Sequence, residues 1–184
     1  MREFSNTNEL ISFLRRNRFS RIGIDGVNRS GKSTLANNIA EVIGYPHINL
    51  DDYLLKNQGG FLDHLKYNEI REFICNARDY IIEGVCLLDV LKQTNTDIDC
   101  LIYVKKITGG DWMDEPDCQL EGSLEQAIHD RKLLVQLIES TEDVPVTLGL
   151  AEEIMRYHDF FKPHMMADIV FLRETTNKNR HCDE

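Results

Sequence analysis

The chain has 184 residues, of which 42% are hydrophobic and 28% are charged, and its formal net charge is −10. These values are typical of one soluble globular domain, and the negative charge argues against a surface that binds nucleic acid. No signal peptide opens the chain, no apolar run approaches the roughly 20 residues of a membrane span, and the five cysteines form no C-x-x-C pair. We therefore expect reduced thiols and a cytoplasmic location, with neither a membrane nor a nucleic acid as partner.

Predicted strands alternate with predicted helices along the chain. Helices are expected where apolar residues recur every three or four positions, and strands where short apolar runs end at polar residues. In chain order the predicted elements are a helix at 6–18, a strand at 21–24, a helix at 33–43, a strand at 47–50, a helix at 70–77, a strand at 80–82, a helix at 87–92, a strand at 100–104, and then helices at 124–138 and 151–158 and a strand at 169–172. This alternation predicts an α/β fold, a three-layer sandwich with a five-stranded parallel sheet and helices on both faces. We expect a single domain over 1–184 that ends in a polar tail at about 174–184.

The first predicted strand runs directly into a phosphate-loop motif, GVNRSGKST, from Gly26 to Thr34. Gly26 and Gly31 allow a tight turn that points backbone N–H groups at phosphate oxygens, and the next helix adds its positive N-terminal end. In this motif Lys32 reaches the β- and γ-phosphates, and the Ser33 hydroxyl binds Mg²⁺. The predicted nucleotide-binding residues are Gly26, Val27, Asn28, Arg29, Ser30, Gly31, Lys32, Ser33 and Thr34. The sequence has no D-x-x-G or guanine-binding signature, so ATP with Mg²⁺ is the expected cofactor.

Two further predicted strands end in acidic residues, and the carboxyl ends of parallel strands meet at one edge of a sheet. Asp51 follows the second strand, where a carboxylate can orient or deprotonate an acceptor hydroxyl and can contact the metal. The alternative for Asp51 is an ordinary cap of the next segment. Glu83 ends the third strand, where an acid can hold Mg²⁺ directly or through water. Its alternative is a loop carboxylate that faces solvent.

The order of these features resembles the uridine kinase-like family of P-loop small-molecule kinases, which includes the nicotinamide riboside kinases. The resemblance rests on four segments, which are RIGIDGVNRSGKST, INLDDYL, YIIEGVCLL and RYHDFFKPHMMADIVF. It implies that Asp51 is the catalytic carboxylate and that Glu83 helps to hold Mg²⁺. A looser match, GGFLDHLKYNEI, implies an acceptor-binding segment in which Asp63 or His64 contacts the substrate. For Asp63, an ordinary position at a helix start is the alternative.

The lid-like segment at about 107–123 departs from this family, which places an arginine-rich lid there. The segment contains several acids and no basic residue, and the next basic residues are Arg131 and Lys132. Helical spacing places Arg131 on the apolar stripe of its helix, where a guanidinium needs an anionic partner. That partner is either a phosphate, which makes Arg131 catalytic, or an internal carboxylate such as Asp168. Trp112, within the segment, either covers a nucleobase or an acceptor or packs in the core.

The expected function is that of an ATP-dependent kinase acting on a hydroxyl of a small molecule, for example a nucleoside or a riboside. Its partners are then a nucleoside triphosphate and a small-molecule acceptor, and the acidic segment favours a cationic acceptor on electrostatic grounds. Two alternatives keep the phosphate loop without efficient transfer, namely a catalytically weak nucleotide-binding regulatory protein and a slow NTPase. The lid separates these possibilities, because arginine contacts to the transition state contribute about 10³–10⁵ in rate.

Overall fold

A twisted β-sheet forms the middle layer of the protein. The computed structural model describes residues 1–55, 60–139 and 146–175. Within these residues the strands are β1 (Arg2–Phe4), β2 (Arg21–Asp25), β3 (His47–Asn49), β4 (Tyr80–Gly84), β5 (Cys100–Thr108), β6 (Asp111–Trp112) and β7 (Ile169–Glu174). The spatial order β1-β7-β5-β2-β4-β3 is parallel at every step, and β6 pairs antiparallel with β5.

This sheet confirms the predicted parallel α/β fold but is larger than the five strands expected. The five expected strands are present, and the structure adds β1 beside β7 and the two-residue β6 beside β5. Strand β1 has only three residues, and two of them are exposed, so it lacks the apolar run by which the other strands are recognised. Its backbone pairing with β7 is a tertiary contact.

Helices cover both faces of the sheet. They are α1 (Thr7–Asn17), α2 (Lys32–Ile43), α3 (Tyr67–Asn76), α4 (Leu87–Thr94), α5 (Glu115–Cys118), α6 (Leu124–Glu139), α7 (Leu150–Phe161) and α8 (Pro163–Met166), with short 3-10 turns at Leu50–Tyr53 and Leu62–His64. In the described ranges no helix is both long and apolar enough to cross a membrane. The part of the predicted polar tail at 176–184 lies outside the described residues.

Side-chain alternation along the strands divides the core into two layers. Ile102 and Val104 of β5 pack with the apolar faces of α1 and α2. Leu101 and Tyr103 point to the opposite face, where they pack with α3, α4 and α7. The second layer lies under the elements that carry the predicted acceptor segment, so the site residues rest on a packed support.

The register of the central strands brings the predicted site residues to one edge of the sheet. Glu83 of β4 pairs with Ile24 of β2 on one side and with Asn49 of β3 on the other. Asp25, the last residue of β2, is therefore one position from Glu83 across the ladder. The phosphate loop and the 3-10 turn that contains Asp51 begin at this same edge.

Candidate functional site

The phosphate loop has the backbone conformation that its glycines permit. Gly26 and Gly31 have φ values of 154° and 97°. A Cβ on Gly26 would lie 2.8 Å from the Ser30 hydroxyl oxygen and 2.9 Å from the carbonyl oxygen of Val104. Glycine at this position therefore allows the loop to close against β5, and the Ser30 N–H donates to the Val27 carbonyl at 3.2 Å across the turn.

Lys32 is buried at the start of α2, inside the loop that precedes it. Its Nζ donates to the carbonyl oxygen of Val27 at 3.1 Å, so the ammonium group is held within the loop. The Ser30 hydroxyl is buried and has no hydrogen-bond partner among the described residues. A buried donor and a buried cation in one loop are suited to an anionic oxygen, which supplies the missing acceptor and the opposite charge.

Asp25 forms the root of the phosphate loop and is fully buried. One carboxylate oxygen accepts the Gly26 N–H at 2.7 Å, and the other accepts a hydrogen bond from the Tyr157 hydroxyl of α7. The Tyr157 oxygen in turn accepts the Leu88 N–H at 3.1 Å. Burial raises the pKa of Asp25 to about 7, although the two hydrogen bonds and the charge of Lys32 act in the opposite direction. The loop is thus tied to α7 through a carboxyl group that titrates near neutral pH.

Glu83 presents a buried carboxylate beside the phosphate loop. Burial raises its pKa, and a hydrogen bond from Ser33 and the charge of Lys32 lower it. Its Oε1 has no hydrogen-bond partner among the described residues, although the Nε2 of His47 lies 3.8 Å away. Burial also lowers the pKa of His47, so this contact is not an ion pair at neutral pH. An unpartnered carboxylate oxygen beside a serine hydroxyl is suited to a hard cation.

Asp51 and Asp52 lie next to this carboxylate, in the 3-10 turn after β3. Both side chains are exposed, and their charges add to the effect of burial in raising the pKa of Glu83. The Asn49 side chain caps the turn by accepting the Asp51 N–H at 2.9 Å, so capping does not account for Asp51. Residues 50–53 form a helical turn, so the side chains here do not alternate between opposite sides as they would in an extended strand. The structure therefore brings both carboxylates to the site without separating their roles.

The predicted acceptor segment is held by a carboxylate that the sequence did not indicate. Glu153 of α7 accepts the Phe61 N–H with both oxygens, at 3.0 and 2.9 Å, and the Leu62 N–H at 3.4 Å. Asp63 and His64 follow in the 3-10 turn, and Asp63 is exposed. The helix α3 begins three residues after this turn, so Asp63 is not at its start. Gly59, the first residue of the matching segment, lies outside the described residues.

The expectation that Arg131 faces the interior is wrong. The helix α6 contacts α7 along one edge, where Ile128 is buried, but Ile138 on the same predicted stripe is 73% exposed. The Arg131 side chain is 42% exposed, and its Nη2 lies 3.4 Å from the Oδ1 of Asp117. Asp168, the carboxylate suggested as an internal partner, instead accepts the Leu101 N–H at 2.8 Å. Periodicity identified an apolar stripe but could not show whether another element covers it.

Within the described residues, the cavity that Arg131 faces is not lined by the phosphate loop. Arg131 lines a cavity of about 720 Å³ together with residues of α5, α6 and α7, such as Asp117, Asp130 and Met155. None of the described residues that line this cavity belongs to the phosphate loop. A contact between Arg131 and a phosphate remains a prediction, and the present ion pair does not favour it.

A different arginine lies against the phosphate loop. Arg173, near the end of β7, donates from Nη1 to the carbonyl oxygens of Arg29 and Ser30 at 3.3 and 3.1 Å. A Cβ on Gly31 would lie 2.4 Å from the Arg173 Cδ, so the side chain packs directly on the loop. The only sequence signal was a basic residue near the carboxyl end of a strand at the same sheet edge, and that signal is weak on its own.

The acids of the lid-like segment are mostly exposed to solvent. Asp111, Glu115 and Glu121 are exposed, and Asp117 pairs with Arg131. Asp114 is the exception, because one of its carboxylate oxygens is buried. Solvent and the ion pair with Arg131 therefore screen part of the negative charge of this segment.

The aromatic residues on this side of the sheet form one packed group. Trp112 packs edge-on against Tyr103, and the Nζ of Lys105 lies 4.0 Å from the centre of the Trp112 ring system. His158 is buried, with Nε2 2.8 Å from the Tyr103 hydroxyl and Nδ1 2.8 Å from the Ile154 carbonyl oxygen. Trp112 thus packs against the core.

Comparisons with known proteins find distant structural similarity only. No protein-family model and no curated protein matches the chain. Among solved structures, the chain is similar to a shikimate kinase from Bacteroides thetaiotaomicron, with 17% identity, coverage of 84% of this chain and 86% of that one, and a TM-score of 0.39. A gluconokinase from Sinorhizobium meliloti has 18% identity, coverage of 81% and 94%, and a TM-score of 0.36. A dephospho-CoA kinase from Campylobacter jejuni has 15% identity, coverage of 86% and 89%, and a TM-score of 0.35. These similarities are too distant to assign an activity or a substrate to this chain.

Proposed function

We propose that the protein is an ATP-dependent kinase that transfers a phosphoryl group to a hydroxyl of a small molecule in the cytoplasm. The observation that carries this proposal is the arrangement at one sheet edge, where the phosphate loop with buried Lys32 lies beside Glu83 and the exposed Asp51. One carboxylate oxygen of Glu83 has no hydrogen-bond partner among the described residues. These are the groups that phosphoryl transfer requires, since it depends on positioning and on charge neutralisation more than on covalent chemistry.

The phosphates of ATP would be held by the loop from Gly26 to Thr34. The backbone N–H groups of the loop and the positive end of α2 attract phosphate oxygens. Lys32 would leave the Val27 carbonyl for the β- and γ-phosphates, and the Ser30 hydroxyl would gain the acceptor that it lacks among the described residues. Arg173 holds the loop by donating hydrogen bonds to two of its backbone carbonyl oxygens, so we assign it the role of a positioning residue.

Mg²⁺ fits the residues next to the loop. Glu83 and Ser33 would hold it, with Asp51 or Asp52 as a further ligand, and the ion would neutralise developing charge on the phosphates. No group of three or more acidic, histidine or cysteine side chains converges in the described part of the chain. Mg²⁺ does not need such a group, because it is usually bound by one or two carboxylates, waters and the substrate phosphates.

The acceptor hydroxyl would lie between the phosphate loop and the 3-10 turn after β3. Asp51 would accept the proton of this hydroxyl as the hydroxyl oxygen attacks the γ-phosphorus. The bond between the γ-phosphorus and the bridging oxygen of the β-phosphate would break, and ADP would leave. The segment with Asp63 and His64, which Glu153 holds in place, would contact the rest of the acceptor. We include in this proposal that the kinase is of the uridine kinase-like subtype and that its acceptor is a nucleoside or a riboside.

A nucleotide-binding protein with weak or no transfer is the second candidate. The observation that favours it is the lid-like segment at 107–123, which has no arginine, together with the exposed ion pair that occupies Arg131. Arg29 in the phosphate loop and Lys105 and Lys106 near the end of β5 are other cations that could act on the transferred group. If none of them does so, binding of ATP would persist while transfer becomes slow.

The experiment that tests the proposal is a screen for acceptor-stimulated release of ADP. Nucleosides, vitamins and sugars would each be added to the wild-type protein with Mg·ATP, and Lys32→Ala would be the matched control. We expect at least one acceptor to stimulate ADP release in the wild type and not in the variant. ATP binding without stimulation by any acceptor would contradict the kinase and favour the second candidate.

A further inference from the structure

Three side chains beside the phosphate loop carry buried polar atoms that nothing in the described residues satisfies. They are Trp112 of β6, Asp114 in the loop that follows, and His164 of α8, and we call them the polar cluster. The indole nitrogen of Trp112, the Oδ2 of Asp114 and both ring nitrogens of His164 have no hydrogen-bond partner within the described part of the chain. His164 is only 4% exposed. Leaving buried polar atoms unpaired costs free energy, so four of them in one place need an explanation.

The three side chains surround Tyr103. The ring of His164 is centred 5.4 Å from that of Trp112, and the Tyr103 ring lies 6.2 Å from Trp112 and 5.9 Å from His164. Asp114 is two residues after Trp112 and directly precedes α5, whose Cys118 Sγ is 3.3 Å from the Tyr103 hydroxyl. In agreement with this position, the charge of Asp114 adds to the effect of burial in raising the pKa of Tyr103. The unpaired atoms therefore belong to one region of the molecule.

The neighbouring polar groups cannot supply the missing partners, because they already bond to one another. The Tyr103 hydroxyl is 2.8 Å from the Nε2 of His158 and 3.3 Å from the Sγ of Cys118. The other ring nitrogen of His158 bonds to the Ile154 carbonyl oxygen. What remains is a set of atoms that a bound molecule could satisfy.

The polar cluster adjoins the proposed catalytic centre. Tyr103, against which Trp112 and His164 pack, pairs with Asp25 across the β2–β5 ladder, and Asp25 is the root of the phosphate loop. In agreement with this placement, the charge of Lys32 acts to lower the pKa of Asp114 against the larger effect of burial.

The segment that carries Trp112 and Asp114 begins after Gly109 and Gly110, with φ values of 62° and 94°, and ends at Gly122, with a φ of 84°. A Cβ on any of these glycines would meet no atom within 4 Å. The segment is thus bounded by unpacked glycines that allow it to move relative to His164 and admit a ligand between them.

The charges around the cluster indicate a neutral ligand. Burial, with smaller contributions from His158, Lys105 and Lys162, lowers the pKa of His164 to about 4, so its ring is neutral at pH 7 and both donates and accepts. Asp114 would repel an anion. The charge of Lys106 already opposes the effect of burial on the pKa of Asp114, and Lys105 lies over Trp112, so an added cation is not required.

Hydroxyl groups match this set of atoms, because each hydroxyl can both donate and accept. One indole donor, one carboxylate acceptor and one neutral imidazole would bind two or three neighbouring hydroxyls. We propose that the polar cluster binds the neutral, polyhydroxylated part of the acceptor, such as a sugar or a ribose-like ring. This inference rests on the proposed function and specifies its substrate class.

The test uses Trp112, which is the only tryptophan of the chain and therefore gives a single indole N–H signal in a ¹H–¹⁵N NMR spectrum. The labelled protein would be titrated with ribose, myo-inositol and uridine, and with glucosamine and gluconate as cationic and anionic comparators, both with and without Mg·ADP. We expect a neutral polyol to shift the indole signal in a saturable way. Asp114→Asn should weaken that binding by about tenfold or more, as expected for loss of a hydrogen bond to a charged group. Asp111→Asn, an exposed position in the same segment, should change it by less than about twofold.

The outcomes separate this inference from the kinase proposal. If no polyol shifts the indole signal in either nucleotide state, or if the glucosamine cation binds more tightly than the neutral sugars, the polyol site is wrong. If an acceptor stimulates ADP release while the indole signal stays unmoved, the kinase stands and the site is wrong. If a polyol shifts the signal and Asp114→Asn abolishes the shift, yet no polyol accepts phosphate, the site stands and the kinase proposal fails.

Discussion

The replacement Asp25→Asn tests the buried carboxyl group at the root of the phosphate loop. The amide has nearly the same shape as the carboxyl group and can still accept the Gly26 N–H, but it cannot ionise. The pKa of Asp25 is raised from 3.8 to about 7 by burial. A raised pKa in the folded protein means that folding binds a proton, so the stability from the neutral form is fully present below pH 3.8 and is lost as the pH rises through 7.

The size of the effect follows from this shift. At pH 5 the folded protein keeps Asp25 mostly neutral and the unfolded chain does not, whereas at pH 8 both states are ionised. One unit of pKa or pH corresponds to about 1.4 kcal/mol, and the folded and unfolded states differ in protonation over the roughly two pH units from 5 to 7. The contribution of Asp25 to the free energy of unfolding of the wild type should therefore fall by about 2–3 kcal/mol between pH 5 and pH 8. The Asp25→Asn variant keeps a neutral side chain at every pH, so its free energy of unfolding relative to wild type should rise by this amount between pH 5 and pH 8.

The assay is urea unfolding of the unligated protein at pH 5 and pH 8, with the difference between wild type and variant as the readout. The wild-type curve alone would mislead, because burial lowers the pKa values of His158 and His164 to about 4, and these groups destabilise the fold as the pH falls below 6.5. Asp99→Asn is the matched control, since a hydrogen bond from Arg21 lowers the pKa of Asp99 and keeps it ionised throughout this range. An equal Asp25→Asn effect at both pH values would show that Asp25 is ionised in the fold, and the reasoning would fail.

Further predictions concern the proposed catalytic groups. Mg·ATP should raise the melting temperature of the wild type, and Lys32→Ala should remove most of that rise; no shift of the wild type at millimolar nucleotide would contradict the phosphate loop. Asp51→Asn should lower kcat by about 10²–10⁴, the usual scale for a general base, and steady-state rates of Asp52→Asn, which should lose less, provide the comparison. Equal losses would mean that the two exposed carboxylates share the role. Glu153→Gln should raise the KM of the acceptor by about tenfold, because a neutral amide binds the Phe61 and Leu62 N–H groups less strongly, while the Kd of ATP stays constant. If the affinity for ATP changes instead, Glu153 does not act mainly on the acceptor segment. Arg173→Ala should weaken ATP binding by about tenfold with little change in kcat, because the loop loses both hydrogen bonds that the Arg173 Nη1 donates to its carbonyl oxygens; an unchanged Kd in calorimetry would show that the loop keeps its shape alone.

The parts of the site that the sequence predicted are those with local determinants. The phosphate loop needs only two glycines, a lysine and a serine at fixed spacing between a strand and a helix, and each of these is visible in a short stretch. Asp51 and Glu83 were predicted because both follow apolar runs, and the parallel sheet then places strand ends together. The structure confirms that placement for Glu83, whose partner in β3 is Asn49, two residues before Asp51.

The parts that the sequence missed depend on contacts between distant elements. Arg173 reaches the phosphate loop from a strand about 140 residues later, and nothing in its own neighbourhood distinguishes it from a solvent-exposed strand end. The interpretation of Arg131 failed for the opposite reason, because its local pattern was strong but α7 covers only one edge of the apolar stripe on α6. A helical period states which side chains share a face, and only the packing partner decides whether that face is buried.

Helix α7 connects the two halves of the proposed site. Glu153 and Tyr157 are four residues apart and therefore share one face of the helix, and His158 lies beside them. Through these side chains the helix binds the acceptor segment at Phe61 and the root of the phosphate loop at Asp25. A shift of α7 would move both contacts together, since the helix is rigid over one turn and each contact is a buried or half-buried hydrogen bond.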